Sequence, residues 1–282
     1  RRSSDLLKRL VYGALCQVTG RTLPWGDLTG IRPTKIPMKL LEEGWKNTEI
    51  ARYMRETYGV SNEKTALAIT IANREKALLQ DLDYENGYSL YVGIPFCPSI
   101  CLYCSFGSHP LERWTKRVDE YLDTLCKELT FIREQMGTRK LTTVYIGGGT
   151  PTTLEPEQLR RLLSHIQETF DFTWVKEYTV EAGRPDSITR EKLQVMKEFP
   201  VTRISVNPQT MNQKTLDVIG RKHTVEDTVN IFHMARELEF DNINMDLIIG
   251  LPGEGKEEVA HTLQEVEKLH PDSLTIHSLA LK

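Results

Sequence analysis

"YSLYVGIPFCPSICLYCSF", residues 88–106, joins two different textures. Its opening, 88–94, is β-branched, aromatic and short, and reads as a strand. The remainder is a loop punctuated by Pro95 and Pro98 that carries Cys97, Cys101 and Cys104 in the spacing C-x3-C-x2-C. In α/β folds, ligands gather where parallel strands end. The loop is therefore placed for a site.

The same strand-then-helix rhythm continues outward. Strands are expected at 88–94, 141–147, 177–182, 201–207, 242–250 and 273–281, with helices near 113–136, 155–169, 189–198, 224–238 and 256–269. Units of this length suit right-handed parallel crossovers. The expectation is an α/β fold with a parallel sheet, open or curled into a partial barrel. Residues 1–86 read instead as an N-terminal helical segment. "RSSDLLKRLVYGALCQVTG" and "NEKTALAITIANREKALLQ" have helical period, with the turn-rich "GRTLPWGDLTGIRPTK" between them. The core is then expected to occupy 87–282.

Composition narrows the function classes. At 39% hydrophobic and 27% charged, the 282-residue chain is expected to fold rather than remain disordered. A net charge of −3 supplies no general basic footprint, so no nucleic-acid partner is expected. No apolar run approaches the roughly 18 residues of a membrane helix. Five cysteines do not form a disulfide framework, which favours a reducing, cytoplasmic setting. Cys16 and Cys126 lie in helical patterns and read as packed thiols. The chain opens on Arg1 and closes on "DSLTIHSLALK", and is expected to be a fragment with its C-terminal region missing.

The three loop cysteines admit several readings. Structural zinc needs four ligands, and only His109 is at hand for the fourth. A redox pair of Cys101 and Cys104 leaves Cys97 unexplained, and a disulfide leaves one thiol over. An iron–sulfur cluster with three thiolates leaves one iron open to chemistry.

With Tyr103 before its last cysteine, the pattern resembles the radical S-adenosylmethionine (SAM) superfamily. "YIGGGTP" at 145–151 resembles its oxygen-independent coproporphyrinogen III oxidase family, and "LPWGDLTGIRPTK", "EAGRPDSI" and "SVNPQTM" resemble the HemZ-like subgroup. The resemblance implies a (β/α)6 partial barrel. It implies a [4Fe–4S] cluster on Cys97, Cys101 and Cys104, and SAM contacts from Tyr91, Tyr103, Gly148, Gly149, Thr150, Glu181, Gln209, Arg221, Asp246 and Ala280. Asp246, inside the apolar run "NMDLIIGLP", also stands out on its own, because a charge there needs a partner.

The implied reaction is one-electron cleavage of SAM to a 5′-deoxyadenosyl radical, followed by oxidative decarboxylation of coproporphyrinogen III. The implied partners are a tetrapyrrole substrate and an electron donor such as flavodoxin or ferredoxin. Carboxylate recognition calls for arginine, and Arg184, Arg203 and Arg221 lie near strand ends. In the family's oxidase a further cysteine follows two residues after the third ligand. Phe106 stands there in this chain, as in haem-trafficking relatives that keep the cluster.

Overall fold

Alternation along the strands decides the architecture. In the first strand, Tyr88–Ile94, the side chains of Leu90, Val92 and Ile94 are buried while Tyr91 is exposed. Five more strands follow: Leu141–Gly148, Glu177–Gly183, Arg203–Val206, Ile243–Ile249 and Ser273–Ser278. All pair in parallel, in chain order, into one six-stranded sheet. The computed structural model describes residues 3–30, 32–83 and 85–279.

The two faces of this sheet are chemically opposite. On the convex face Val92, Ile146, Val180, Ile204, Met245 and their neighbours form one continuous core with the helices. Register carries the other face across the sheet: Tyr91 pairs with Tyr145, Tyr145 with Thr179, Thr179 with Arg203, and Asp246 with Thr275. That face is polar on nearly every strand. A doubly wound sheet covers both faces with helices and is apolar on both. Here only one face is covered, and the sheet is a curled, parallel partial barrel with a polar interior.

The covering helices are Val118–Met136, Pro156–Thr169, Arg190–Lys197, Val225–Glu237 and Lys256–Leu269. Their starts follow from local chemistry. Thr189 and Thr224 accept from the backbone N–H groups of Lys192 and Asp227, and Pro156 occupies a first-turn position that needs no N–H. The helix expected from residue 113 is interrupted. A short turn at Leu111–Trp114 and a tighter one at Thr115–Arg117 precede Val118, where Arg117 leaves helical geometry. A further short helix, Gln213–Val218, was not expected.

The chain divides into two compact units, Arg1–Asp83 and Tyr84–Lys282. The first contains the helices Ser3–Thr19, Lys35–Glu42, Asn47–Tyr58 and Asn62–Leu79, around Leu40, Leu41, Ile50, Met54 and Ala68. Its turn-rich stretch is pinned to the end of the third helix. Asp27 N–H donates to Tyr58 O at 2.9 Å, and a Cβ on Gly26 would lie 1.9 Å from the same oxygen.

One buried group in the barrel wall lacks a counterpart. Tyr178 is fully buried in the convex core, and its hydroxyl has no hydrogen-bond partner among the described residues. Tyr178→Phe is expected to raise stability by about 1 kcal/mol by removing an unsatisfied hydroxyl. Urea unfolding measures it, and a destabilised variant would show that the hydroxyl is bonded.

Candidate active site at the strand ends

The site begins with a close backbone approach. Gly149 N–H donates to Ile94 O at 2.6 Å and Thr150 N–H to Phe96 O at 2.8 Å. A Cβ on Gly149 would lie 2.6 Å from Phe96 O and 2.8 Å from Ile94 O, so no side chain fits there. Gly148 has φ +104, a backbone region that glycine enters without strain. The glycine turn after the second strand is therefore moulded onto the loop after the first.

That loop is anchored at several points. Phe96–Cys97 pairs with His109–Pro110. Leu102 N–H donates to Ile219 O at 3.0 Å, and Ser99 Oγ to Gly220 O at 3.0 Å. Tyr103 packs on the apolar group of Leu216, Ile219, Ile248 and Leu251. Cys97 and Cys101 are buried, Cys104 is half-buried, and all three are free thiols. Thr150 Oγ1 donates to Cys97 Sγ at 3.5 Å, and Arg184 Nη1 to Cys101 Sγ at 3.8 Å. Burial pushes the Cys97 thiol up, while hydrogen bonds from Thr150 and Ser108 and the Arg184 charge pull it back.

His109 does not join the thiols as the fourth ligand of a zinc site. Its ring packs on Trp114 with centroids 5.1 Å apart, and among the described residues no three Cys, His, Asp or Glu groups converge on a single-ion site. Cys16 and Cys126 sit half-buried in helices, as expected.

Beside the loop lies the polar concave face. Tyr91, 63% exposed, stacks on Tyr145 with centroids 5.8 Å apart. Tyr145 OH donates to Glu181 Oε1. Burial, reinforced by the nearby Asp246 charge, raises the Glu181 carboxyl to about 6, against the Tyr145 bond that lowers it. A Cβ on Gly147 would lie 3.1 Å from Glu181 Oε1, so this glycine keeps space beside the carboxylate. Asp246 is not stranded in apolar surroundings. Its neighbours Met245 and Leu247 point into the convex core, whereas Asp246 accepts from Asn244 Nδ2 at 2.7 Å. Asn244 Oδ1 in turn accepts from Ser273 and Thr275.

Gln209 closes the top of the fourth and fifth strands. Its φ is +69, a strained value outside glycine, held by bonds from its N–H to Asp246 O and from Ile248 N–H to its own carbonyl. Among the described residues its Oε1 is buried without a partner, as are Asn207 Oδ1 and Arg221 Nε. Arg221 otherwise donates to Asn207 O at 2.6 Å and to Tyr103 OH at 3.1 Å. Burial pushes the Tyr103 hydroxyl up to about 12. Ala280 lies outside the described residues.

The three candidate carboxylate-binding arginines separate. Arg184 is committed to Asp186, Ser99 and Cys101, and Arg221 to Tyr103 and Asn207. Arg203 lies on the concave face, 3.6 Å from Glu177, with Nε unpartnered among the described residues. Tyr145 and Gly147 were not singled out from sequence. Their signal was there: Tyr145 alternates with Val144 and Ile146 and so faces the interior.

The comparisons agree with this geometry. The model of the radical SAM superfamily matches residues 91–266. The chain is 44% identical over 277 residues to the oxygen-independent coproporphyrinogen-III oxidase-like protein HemZ of Bacillus subtilis, covering 96% of this chain and 55% of that protein. It is 37% identical over 195 residues to the heme chaperone HemW of the same organism, covering 69% and 51%. The structure of Escherichia coli coproporphyrinogen III oxidase HemN superposes with a TM-score of 0.64 at 32% identity, covering 73% of this chain and 47% of that one. The chain spans about half the length of the curated relatives it matches. A parallel partial barrel with three thiols on the loop after its first strand, matched by the family model from residue 91 to 266, belongs to the radical SAM superfamily.

Proposed function

We propose that Cys97, Cys101 and Cys104 hold a [4Fe–4S] cluster, that SAM lies across the concave face, and that the protein acts oxidatively on a tetrapyrrole. The carrying observation is a rim of three free thiols set directly beside a polar face whose Gln209, Asn207 and Arg221 retain buried, unpartnered atoms. The donor set fits the cluster: three free thiols spaced along one loop, with hydrogen-bond donors at two of the sulfurs. When bound, the cluster and SAM supply one-electron, hydrogen-abstracting chemistry, and the protein positions them.

Each residue then has a task its surroundings allow. Glu181, ionised above about pH 6, accepts from ribose hydroxyls. Gly147 leaves room beside it, and Gly148 and Gly149 bring backbone close to the methionine end. Tyr91 offers a flat ring, and Gln209, Arg221 and Asp246 offer polar atoms along the strand ends. Thr150 and Tyr103 brace the loop. The substrate proposed is coproporphyrinogen III, taken to protoporphyrinogen IX, with the electron supplied by a flavodoxin- or ferredoxin-type donor.

Phe106 favours a second reading, haem trafficking with a retained cluster. It is 75% exposed, on the same loop as exposed Leu102 and Ile100, and gives the cysteine loop apolar surface that a flat macrocycle could cover. The two readings part on one preparation. Anaerobically reconstituted protein is given SAM and dithionite, with and without coproporphyrinogen. The oxidase reading expects 5′-deoxyadenosine and protoporphyrinogen. A Soret band on haem titration, with no decarboxylation, selects trafficking. Cys97→Ser and Cys101→Ser are each expected to abolish iron loading; a full iron complement in either would sink the cluster assignment.

The Glu181 carboxyl sets a pH dependence. Its acceptor charge is present above about pH 6 and is lost as pH falls through that value. SAM affinity, measured by calorimetry on reconstituted protein, is expected to fall over the same range. Glu181→Gln should bind SAM roughly tenfold more weakly at pH 8, the scale of a lost charged hydrogen bond, and should flatten the profile. An unchanged profile in the variant would remove Glu181 from the SAM site.

A further inference from the structure

Arg184 is 3% exposed. It ends the third strand in the sequence Gly183-Arg184-Pro185-Asp186, where Pro185 starts a tight turn that folds Asp186 back onto the guanidinium. The pair is bidentate: Nε to Oδ1 at 3.0 Å and Nη2 to Oδ2 at 2.7 Å. That grip uses one edge of the planar fork and aims the other. Nη1 donates to Ser99 O at 2.9 Å, to Ser99 Oγ at 2.8 Å and to Cys101 Sγ at 3.8 Å.

A buried guanidinium, held by a carboxylate that keeps 18% of its side chain exposed, is therefore fixed behind one cysteine sulfur. The hydrogen bonds to Cys97, from Thr150 and Ser108, are neutral. Behind Asp186 stands His223, 1% exposed, with its Nδ1 4.0 Å from Asp186 Oδ1 and neither ring nitrogen bonded among the described residues. Burial and the Arg221 charge hold that imidazole down at about 4, so it is neutral near pH 7 and leaves the charge balance to Arg184 and Asp186. The guanidinium, 3% exposed, acts on the sulfur at close range with little screening, while the carboxylate behind it is partly screened by solvent.

We propose that the Arg184–Asp186 pair sets the electron affinity of the cluster through Cys101, with Arg184 as a positioning residue whose N–H bond stabilises the reduced, more negative state. The proposal rests on the cluster assignment above. Hydrogen bonds to the ligating sulfurs and local net charge are the protein's levers on such potentials. Arg184 supplies both. Asp186 opposes the charge while fixing the geometry. Reduction adds one electron from the chemical reductant, and no bond forms or breaks.

The test is an anaerobic redox titration of the full reconstituted chain with dithionite, followed by electron paramagnetic resonance of the reduced cluster. Arg184→Gln, which loses the cation and leaves Asp186 unbalanced, is expected to shift the midpoint to lower potential. Asp186→Asn, which leaves the cation in place, is expected to shift it to higher potential. A purely structural role would change iron content without opposed shifts. Two loaded variants at the wild-type potential, or shifted in the same direction, would overturn the proposal. If Arg184→Gln fails to load, the upward shift in Asp186→Asn is still required. Loss of the cluster from both would also overturn it, since the pair would then be holding the loop only. Wild-type protein without a cluster signal would instead refute the cluster assignment.

Discussion

Two backbone hydrogen bonds, Gly149 to Ile94 and Thr150 to Phe96, hold the rest of the site in place. They weld the turn after the second strand to the loop after the first, at a separation that excludes any Cβ on Gly149. The loop in turn carries the three thiols, so their placement depends on a contact between main chains. A main-chain contact of this kind is rigid, because neither partner has rotamers to explore. The Thr150 hydroxyl that reaches Cys97 is delivered by the same weld.

The barrel wall supplies the complementary constraint. Its convex face is continuous apolar core, which leaves the concave face free to be polar. A polar interior is costly where donors and acceptors go unmatched. Most are matched within the wall: Asn244 links Asp246 to Ser273 and Thr275, and Tyr145 serves Glu181. Among the described residues, three of the atoms left over, on Asn207, Gln209 and Arg221, follow the fourth strand, while the Tyr178 hydroxyl and Arg203 Nε lie elsewhere in the wall. A group of unmatched polar atoms beside the thiol-bearing loop calls for a partner other than the chain itself.

Much of this was legible in the sequence because it depends on local order. Strand and helix positions follow from short β-rich runs alternating with amphipathic stretches, and parallel pairing follows from crossover length, whereas closure into a partial barrel was implied by the family resemblance. The cysteine spacing and the glycine run are contiguous words. The helix Gln213–Val218 was not legible, being too short to show a period. The break at Arg117 was hidden in a continuous helical pattern. Asp246 in an apolar run looked like an uncompensated charge, because a one-dimensional reading does not separate two faces that alternate. Tyr145 and the Arg184–Cys101 contact needed register and long-range geometry. Arg184 and Cys101 are 83 residues apart, and nothing in either neighbourhood announces the other.

The arginines show how the fold assigns roles that composition leaves equal. Arg184 and Arg221 lie after the strands they follow, on the side of the thiol loop, whereas Arg203 opens its strand at the opposite end. Arg184 is taken by Asp186 and the loop, and Arg221 by Asn207 and Tyr103, so both serve as struts between the cysteine loop and the barrel. Arg203 differs because it faces the interior, where Glu177 at 3.6 Å and Ser273 at 3.3 Å leave its Nε unsatisfied. The two struts act at different thiol-bearing segments: one touches the sulfur of Cys101, the other the ring beside Cys104. Charge in this site is thus used first to hold the thiol loop, and only what remains faces the interior.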